Sequence, residues 1–381
     1  MTKTKFWGAL LSLLALAIAV FIHPPTTLVE AMVFATTGSL VASLLLDPRS
    51  AKVGTLRGSF ASNLTPQAIQ FLFQGVKNDF DATLNTAPIF WDKFADPKTS
   101  TRSGEAYYFT DLVPKMRLWL GDRVAQNISA RAYLLQNNDY EITLEVDRNR
   151  INDDAVGVFS GLGKKIAIQG ARWPDQLGAA VLQTADTTAV LGYDGLPFYS
   201  TAHLQNPDDP TSGTQSNLYT SAGSGATPLT SSNYLTIRGN MRGWKGANGQ
   251  PIGVMPDLLM VPPLLEVHAK QINNAGTTAP LVATGQNAGG AQQTNVLSGM
   301  SDVFVNPYLA GQDTTWYLND TRNVGASLKP FIFQQRQVPT YVMRTAPTDP
   351  AVFDRRTYLH GIDARGNFGV TFPFLSVKCG P

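Results

Sequence analysis

The sequence is poor in cysteine, in charge and in the short motifs that carry chemistry. Cys379 is the only cysteine among 381 residues, so no disulfide closes within the chain and no cysteine-rich metal module can form. Charged residues make up 15%, against about 25% in ordinary soluble domains. The 30 basic and 28 acidic residues leave a formal net charge of +2, too small to make nucleic acid the default partner. No basic run of five or more occurs, and no aromatic signature of an RNA-binding sheet. There is no Gly-x-Ser-x-Gly elbow, no His-Glu-x-x-His helix and no fixed-period repeat. The segment Gly157 to Lys164 imitates a phosphate loop but has one residue too many between its outer glycines. It also places Lys165 where a magnesium-binding hydroxyl belongs. His23, His203, His268 and His360 are scattered without metal-ligand spacing. His203 reads as a structural or surface histidine and Cys379 as a tolerated tail residue. Asp153-Asp154 and Asp208-Asp209 read as helix caps and loop solubility rather than cation ligands. No cofactor or metal site and no catalytic residue is expected. A hydrophobic content of 43% excludes disorder throughout.

What is present is unevenly placed. Phe6 to Val29 holds no formal charge, and Phe6 to Ile22 is an almost unbroken apolar run. As a helix that stretch would extend about 36 Å, enough to cross a bilayer core. Lys3 and Lys5 precede it as in a signal peptide, but no small-x-small cleavage site follows. A membrane or export element, a processed segment and an upstream start all fit, with Met32 an internal start candidate. Residues 1–60 carry five basic side chains (Lys3, Lys5, Arg49, Lys52, Arg57) and two acidic ones (Glu30, Asp47). The remaining 25 basic and 26 acidic residues leave the body at −1. Charge is dense over 92–154, with nine basic and eleven acidic residues. It thins to six and nine over 185–330, a stretch rich in Gly, Thr, Asn, Gln and Ser that reads as loops.

Periodicity supplies the elements. Thr65 and Pro66 open a helix striped by Ile69, Leu72, Phe73, Val76 and Phe80. Tyr140, Ile142, Leu144 and Val146 alternate with Glu141, Thr143, Glu145 and Asp147, predicting a strand with one apolar and one acidic face. The turn candidate Gln136 to Asp139 makes Arg131–Leu135 its hairpin partner. Asn152, Asp153 and Asp154 predict the start of a helix through Val156, Phe159, Leu162 and Ile166. Pro174 opens a second helix. Further helices are expected over Ser232–Arg242 and from Pro263 to about Asn273. Strands are expected near Leu258–Val261, Phe331–Phe333, Tyr341–Arg344 and Phe368–Lys378. Irregular alternation favours an α+β class.

From Leu64 onward the chain resembles the Mu-like phage major head subunit family. The residues that carry the likeness begin with Thr65, Pro66, Phe71, Phe73, Phe80, Trp91, Tyr108 and Leu112 to Pro114. They continue through Arg117 to Arg123, Asn138 to Glu141, Arg148 to Asp154, Gly157 and Trp173 to Leu177. They close with Tyr193 to Gly195, Phe198, Tyr199, His203 and Leu204. Leu118 departs from the pattern where an acidic residue is expected, and the apolar front has no counterpart in it.

The resemblance implies a Hong Kong 97-type capsid fold, a subunit that self-assembles into an icosahedral shell around packaged DNA, and no enzymatic activity. It implies an apolar extension at 1–60, an N-terminal arm at 61–91 and an extended loop at 92–150. A spine helix of a peripheral domain would follow at 151–195, a mostly axial domain at 196–325 and closing strands at 326–381. The partners implied are other copies in hexamers and pentamers, non-specifically held double-stranded DNA, and scaffold, portal or decoration proteins. A membrane becomes a partner only if the front is retained. Arg117, Trp119, Arg123, Glu141, Glu145 and Asp147 are the candidate subunit-interface residues, with a solvated hairpin face as the alternative. A competing reading, an exported or membrane-anchored hydrolase or surface-binding protein, accounts for the front and less of the rest.

Overall fold

The computed structural model describes residues 66–109, 116, 118, 131–152, 161–273, 295, 297–322 and 328–381. The apolar front, Thr65, Asp153, Asp154, Val156, Phe159 and the polar stretch 284–294 lie outside them. Among the described residues no helix is long and apolar enough to cross a membrane.

Helix α1 (Pro66–Leu84) forms where the apolar stripe predicts it. Ile69, Phe73, Val76 and Phe80 are buried and Leu72 is half-buried, while Phe71 on the opposite face is 79% exposed. Strands β1 (Ala95–Thr99), β2 (Gly104–Phe109), β3 (Arg131–Gln136) and β4 (Asn138–Asp147) follow. The short helix α2 (Arg148–Asn152) is capped by Asp147, whose Oδ1 accepts from the amides of Asn149 at 2.7 Å and Arg150 at 3.2 Å.

Helix α3 (Leu162–Thr184) runs unbroken past Pro174, and the expected first turns from Asp153 to Phe159 lie outside the described residues. A proline inside a helix removes a hydrogen bond and costs about 3 kcal/mol. Here Ile166, Ala167 and Trp173 before it, and Ala179 and Leu182 after it, are all buried. That burial outweighs the local cost, so the expected two helices are one.

The chain continues through β5 (His203–Leu204), β6 (Thr214–Gln215), β7 (Leu218–Tyr219), α4 (Ser231–Gly243), β8 (Leu258–Val261) and α5 (Glu266–Asn273). It ends with β9 (Asp302–Val305), β10 (Trp316–Asn319), β11 (Phe331–Arg344), α6 (Pro350–Arg355), β12 (Thr357–Val370) and β13 (Ser376–Cys379). The Thr230 side chain accepts from Asn233 N at 3.2 Å and caps α4. The two strands expected at 331–333 and 341–344 are one, β11, with register shifts at Gln335–Gln337 and Gln337–Thr340 that absorb Pro339. Its partner β12, mostly missed from sequence, buries Tyr358, His360, Ile362 and Ala364 on alternate positions.

Two sheets organise this α+β body. The first runs β1-β11-β12-β4, with β1 parallel to β11 and the rest antiparallel. Helices α1 and α3 pack together, and Val76, Phe80, Ile166 and Ala167 join Tyr341 and Ile362 of the sheet in one cluster. At Gly163 the two backbones meet closely: a Cβ there would lie 2.0 Å from the Val76 carbonyl oxygen. The second sheet runs β7-β13-β10-β8-β9. It packs with α4 and α5 around Tyr234, Ile237, Met241, Trp316, Phe374 and Cys379. A shared core joins the two sheets: Leu182 of α3 and Phe331, Phe333 and Phe368 meet Leu258, Met260 and Tyr317.

Candidate assembly surface

Among the described residues, strands β2 and β3 pair only with each other, in register from Gly104–Gln136 to Phe109–Arg131. The sequence had pointed to β3 and β4 as hairpin partners. Instead β4 leaves after Asn137 and pairs with β12 along ten residues, because its apolar side chains complete the first sheet. One face of the β2–β3 ribbon is anchored. Phe109 and Leu135 pack with Tyr193 and Ile332, and Leu135 lies where a side chain on Gly369 would sit. Polar anchoring runs through buried Gln334. It accepts from the Tyr107 hydroxyl at 2.8 Å and donates to Leu135 O at 3.1 Å and Asn137 Oδ1 at 2.7 Å. Burial raises the Tyr107 hydroxyl to a pKa of about 12, keeping it a neutral donor. The other face, Ala106, Tyr108, Ala132 and Leu134, is exposed, with Tyr108 at 70% and Leu134 at 61%.

The second component is the outer face of β4. Of the six residues singled out from sequence, Arg117, Trp119 and Arg123 lie outside the described residues, while Glu141, Glu145 and Asp147 lie on β4. Asp147 serves its own subunit as the α2 cap. Glu141 and Glu145 are exposed, and Glu141 accepts from the Thr143 hydroxyl at 2.5 Å. Register adds a residue that no local pattern reveals: exposed Asp363 of β12 stands directly opposite Glu141. Like charges facing each other across strands cost roughly 0.2–1 kcal/mol. Among the described residues no cation pairs with Glu141, Glu145 or Asp363. Arg365 lies beside Asp139 instead, at 2.8 Å but without hydrogen-bond alignment. On the inner face Tyr140 packs on Trp173 at 5.0 Å and Val146 is buried, whereas Leu144 stays 37% exposed.

The scattered chemical candidates resolve as structure. His203 is buried; its Nδ1 is 2.6 Å from Asp194 Oδ2 and its Nε2 3.1 Å from the Phe198 carbonyl, so it staples the 194–203 loop. Cys379 is no tail residue: it is fully buried in β13, and burial pushes its thiol pKa well up. Asp208 pairs with Arg131 at 2.5 Å, and Asp209 accepts from the amide and hydroxyl of Thr211. Asp175, not singled out from sequence, is buried within α3, and its Oδ1 accepts from the amides of Phe90 at 2.9 Å and Trp91 at 2.7 Å. Among the described residues no three His, Cys, Asp or Glu side chains gather to hold a metal.

Known proteins share this body. The family model described as Mu-like prophage major head subunit gpT matches residues 69–228, 221–309 and 298–379. The Mu-like prophage FluMu major head subunit of Haemophilus influenzae is 24% identical over 311 residues, spanning 82% of this chain and 72% of that protein. The major capsid protein of Escherichia phage Mu is 28% identical over 145 residues, 38% of this chain and 47% of that one. Among solved structures, a chain of the bacteriophage JBD30 procapsid is similar at 25% identity and a TM-score of 0.49, spanning 83% of this chain and 76% of that one. Matched segment by segment from within α1 to the end of β13, the chain belongs to the Mu-like prophage major head subunit family.

Proposed function

We propose that this chain is the major head subunit of a Mu-like phage or prophage. It is a structural protein that assembles with its own copies, in hexamers and pentamers, into the icosahedral capsid that holds packaged double-stranded DNA. The observation that carries the reading is the β2–β3 ribbon. It is rooted on the body through Phe109, Leu135 and Gln334 and presents Ala106, Tyr108, Ala132 and Leu134 outward. A monomer working alone gains nothing from an anchored arm with an apolar free face; a subunit that lies against its neighbour does. The near-neutral body, 25 basic against 26 acidic residues after position 60, limits self-repulsion among many copies.

In this reading the ribbon is the core of the extended loop. Helix α3 with the β1-β11-β12-β4 sheet is the peripheral domain, and the β7-β13-β10-β8-β9 sheet is the axial domain of a Hong Kong 97-type subunit. DNA is held without base-specific contact, and scaffold, portal or decoration proteins are further partners. The test is electron microscopy of the purified full-length chain. Closed shells or curved sheets support the reading, and a monodisperse monomer overturns it. N-terminal sequencing of the particles determines whether residues 1–60 are retained.

A further inference from the structure

Arginines gather at the end of the first sheet where β4 runs into α2 and α6 joins β11 to β12. Arg148 and Arg150 stand on α2, Arg344 closes β11, and Arg355 and Arg356 lie between α6 and β12. Strand register holds them together. The Arg148 amide donates to the Arg356 carbonyl at 2.9 Å, Thr357 pairs with Asp147, and Arg344 pairs with Leu359. Arg344 is thus one strand across and three residues along from Arg356, about 11 Å between their backbones. Arg148 is half-buried and the other four are exposed.

Among the described residues none of the five forms an ion pair. Two of the three nearby carboxylates serve the backbone: Asp147 accepts from the Asn149 and Arg150 amides, and Asp349 from the Ala346 amide at 3.0 Å. Asp354 is the third. Five arginines against these three acids leave this end at +2, and the other 20 basic and 23 acidic residues after position 60 stand at −3. Arg356 adds a second observation. Among the described residues it alone, glycines apart, has a positive φ, 58° with ψ 33°, at the left-handed position that closes α6. Glycine or asparagine ordinarily fills that position. An arginine held in a glycine's conformation points to a use for its guanidinium.

We propose that this arginine end is the contact through which the subunit holds the phosphate backbone of double-stranded DNA. The planar fork of each guanidinium matches two phosphate oxygens, a fit that lysine lacks. A duplex presents one negative charge per about 1.7 Å of its axis, so a patch about 11 Å wide meets several phosphates together. A carboxylate partner would have to place each acid separately, whereas the duplex supplies an unbroken row. Phosphate contacts carry no base information, so the hold is independent of sequence. The acidic remainder of the body is repelled by the same polyanion, which orients the subunit with this end toward it.

This inference rests on the head-subunit reading and deepens it. The test is fluorescence anisotropy of a short labelled duplex with full-length subunits released from shells, titrated between 50 and 200 mM salt. With about five phosphates engaged, affinity falls about 500-fold over that range. Arg150→Gln with Arg355→Gln and Arg356→Gly leaves about two contacts, and the fall shrinks to about tenfold. Glycine suits the left-handed position, and lysine at 150, 355 and 356 restores the steep salt dependence, which separates lost charge from lost structure. Arg242→Gln with Lys245→Gln, exposed on the second-sheet side, leaves the affinity within about twofold. An unchanged salt dependence in the triple variant overturns the inference, as does polyglutamate binding as tightly as a duplex of equal charge. A triple variant that no longer forms shells assigns the arginines to a contact between copies and also overturns it. Subunits that assemble but bind no duplex sink this inference alone; an unaltered chain that forms no shells sinks the head-subunit reading.

Discussion

His360 makes the docking of α1 on the first sheet sensitive to acid. Its side chain is 1% exposed, with Nδ1 2.6 Å from the Tyr341 hydroxyl and the Phe73 ring edge-on at 4.7 Å. Its Nε2 has no hydrogen-bond partner. Nothing there compensates a charge, so burial holds the imidazole pKa down to about 4. Unfolded, the same ring titrates near 6.5. Above about pH 6.5 both states are neutral and the full stability is present. As pH falls from there toward 4, the unfolded chain takes up a proton that the folded chain refuses, and stability drops by about 1.4 kcal/mol per pH unit. The loss approaches 3 kcal/mol, roughly, near pH 4 and then levels off. The assay is urea unfolding of disassembled subunits at pH 7.5, 5.5 and 4.5, comparing the native chain with His360→Gln. Glutamine keeps an acceptor for Tyr341 and does not titrate. Carboxylate contributions, including those of buried Asp175 and Asp320, are common to both chains and cancel in the difference. The native chain should lose about 2–3 kcal/mol more than the variant between pH 7.5 and 4.5. Equal slopes would refute the reasoning.

Three further outcomes follow from the packing. Gly163→Ala places a methyl 2.0 Å from the Val76 carbonyl oxygen and 3.2 Å from Phe80 N. Backbone cannot rotate aside, so α1 and α3 must part at a cost of about 3 kcal/mol, visible as a lower thermal midpoint; an unchanged midpoint contradicts the close crossing. Asp175→Ala strips the acceptor from the Phe90 and Trp91 amides. It should cost about 2–4 kcal/mol, with Asp175→Asn closer to the native value in the same denaturation assay. Cys379, with its raised pKa and no exposure, should resist thiol reagents in the folded chain and react stoichiometrically only in denaturant. Rapid labelling of native protein would place it at the surface.

The elements that could be read in advance are those with a strong local period. The stripe from Ile69 to Phe80 is the buried face of α1. Leu258–Val261 is β8, and Pro263 starts the turn into α5. The misreadings have one cause. Pro174 looks like a helix start, yet buried neighbours on both sides carry α3 through it. The polar run Gln334 to Gln337 and Pro339 look like a break, yet Gln334 is buried beneath the ribbon and two irregularities absorb the proline. Arg131–Leu135 looks like the partner of β4 because it is near in sequence, yet it pairs with β2.

For the candidate surface, the alternation that makes β4 acidic on one face and apolar on the other was legible residue by residue. The opposition of Glu141 and Asp363 was not, since it depends on a strand pairing that spans more than half the chain. The anchoring of the ribbon by Gln334 was equally hidden. By itself, the sequence determined the helical and strand periods, the near-neutral body behind an apolar front, and the family resemblance. Tertiary structure alone decided which strands are neighbours and which proline is tolerated. Local periodicity records only which face of an element is apolar; the pairing partner follows from burial and register across distant segments.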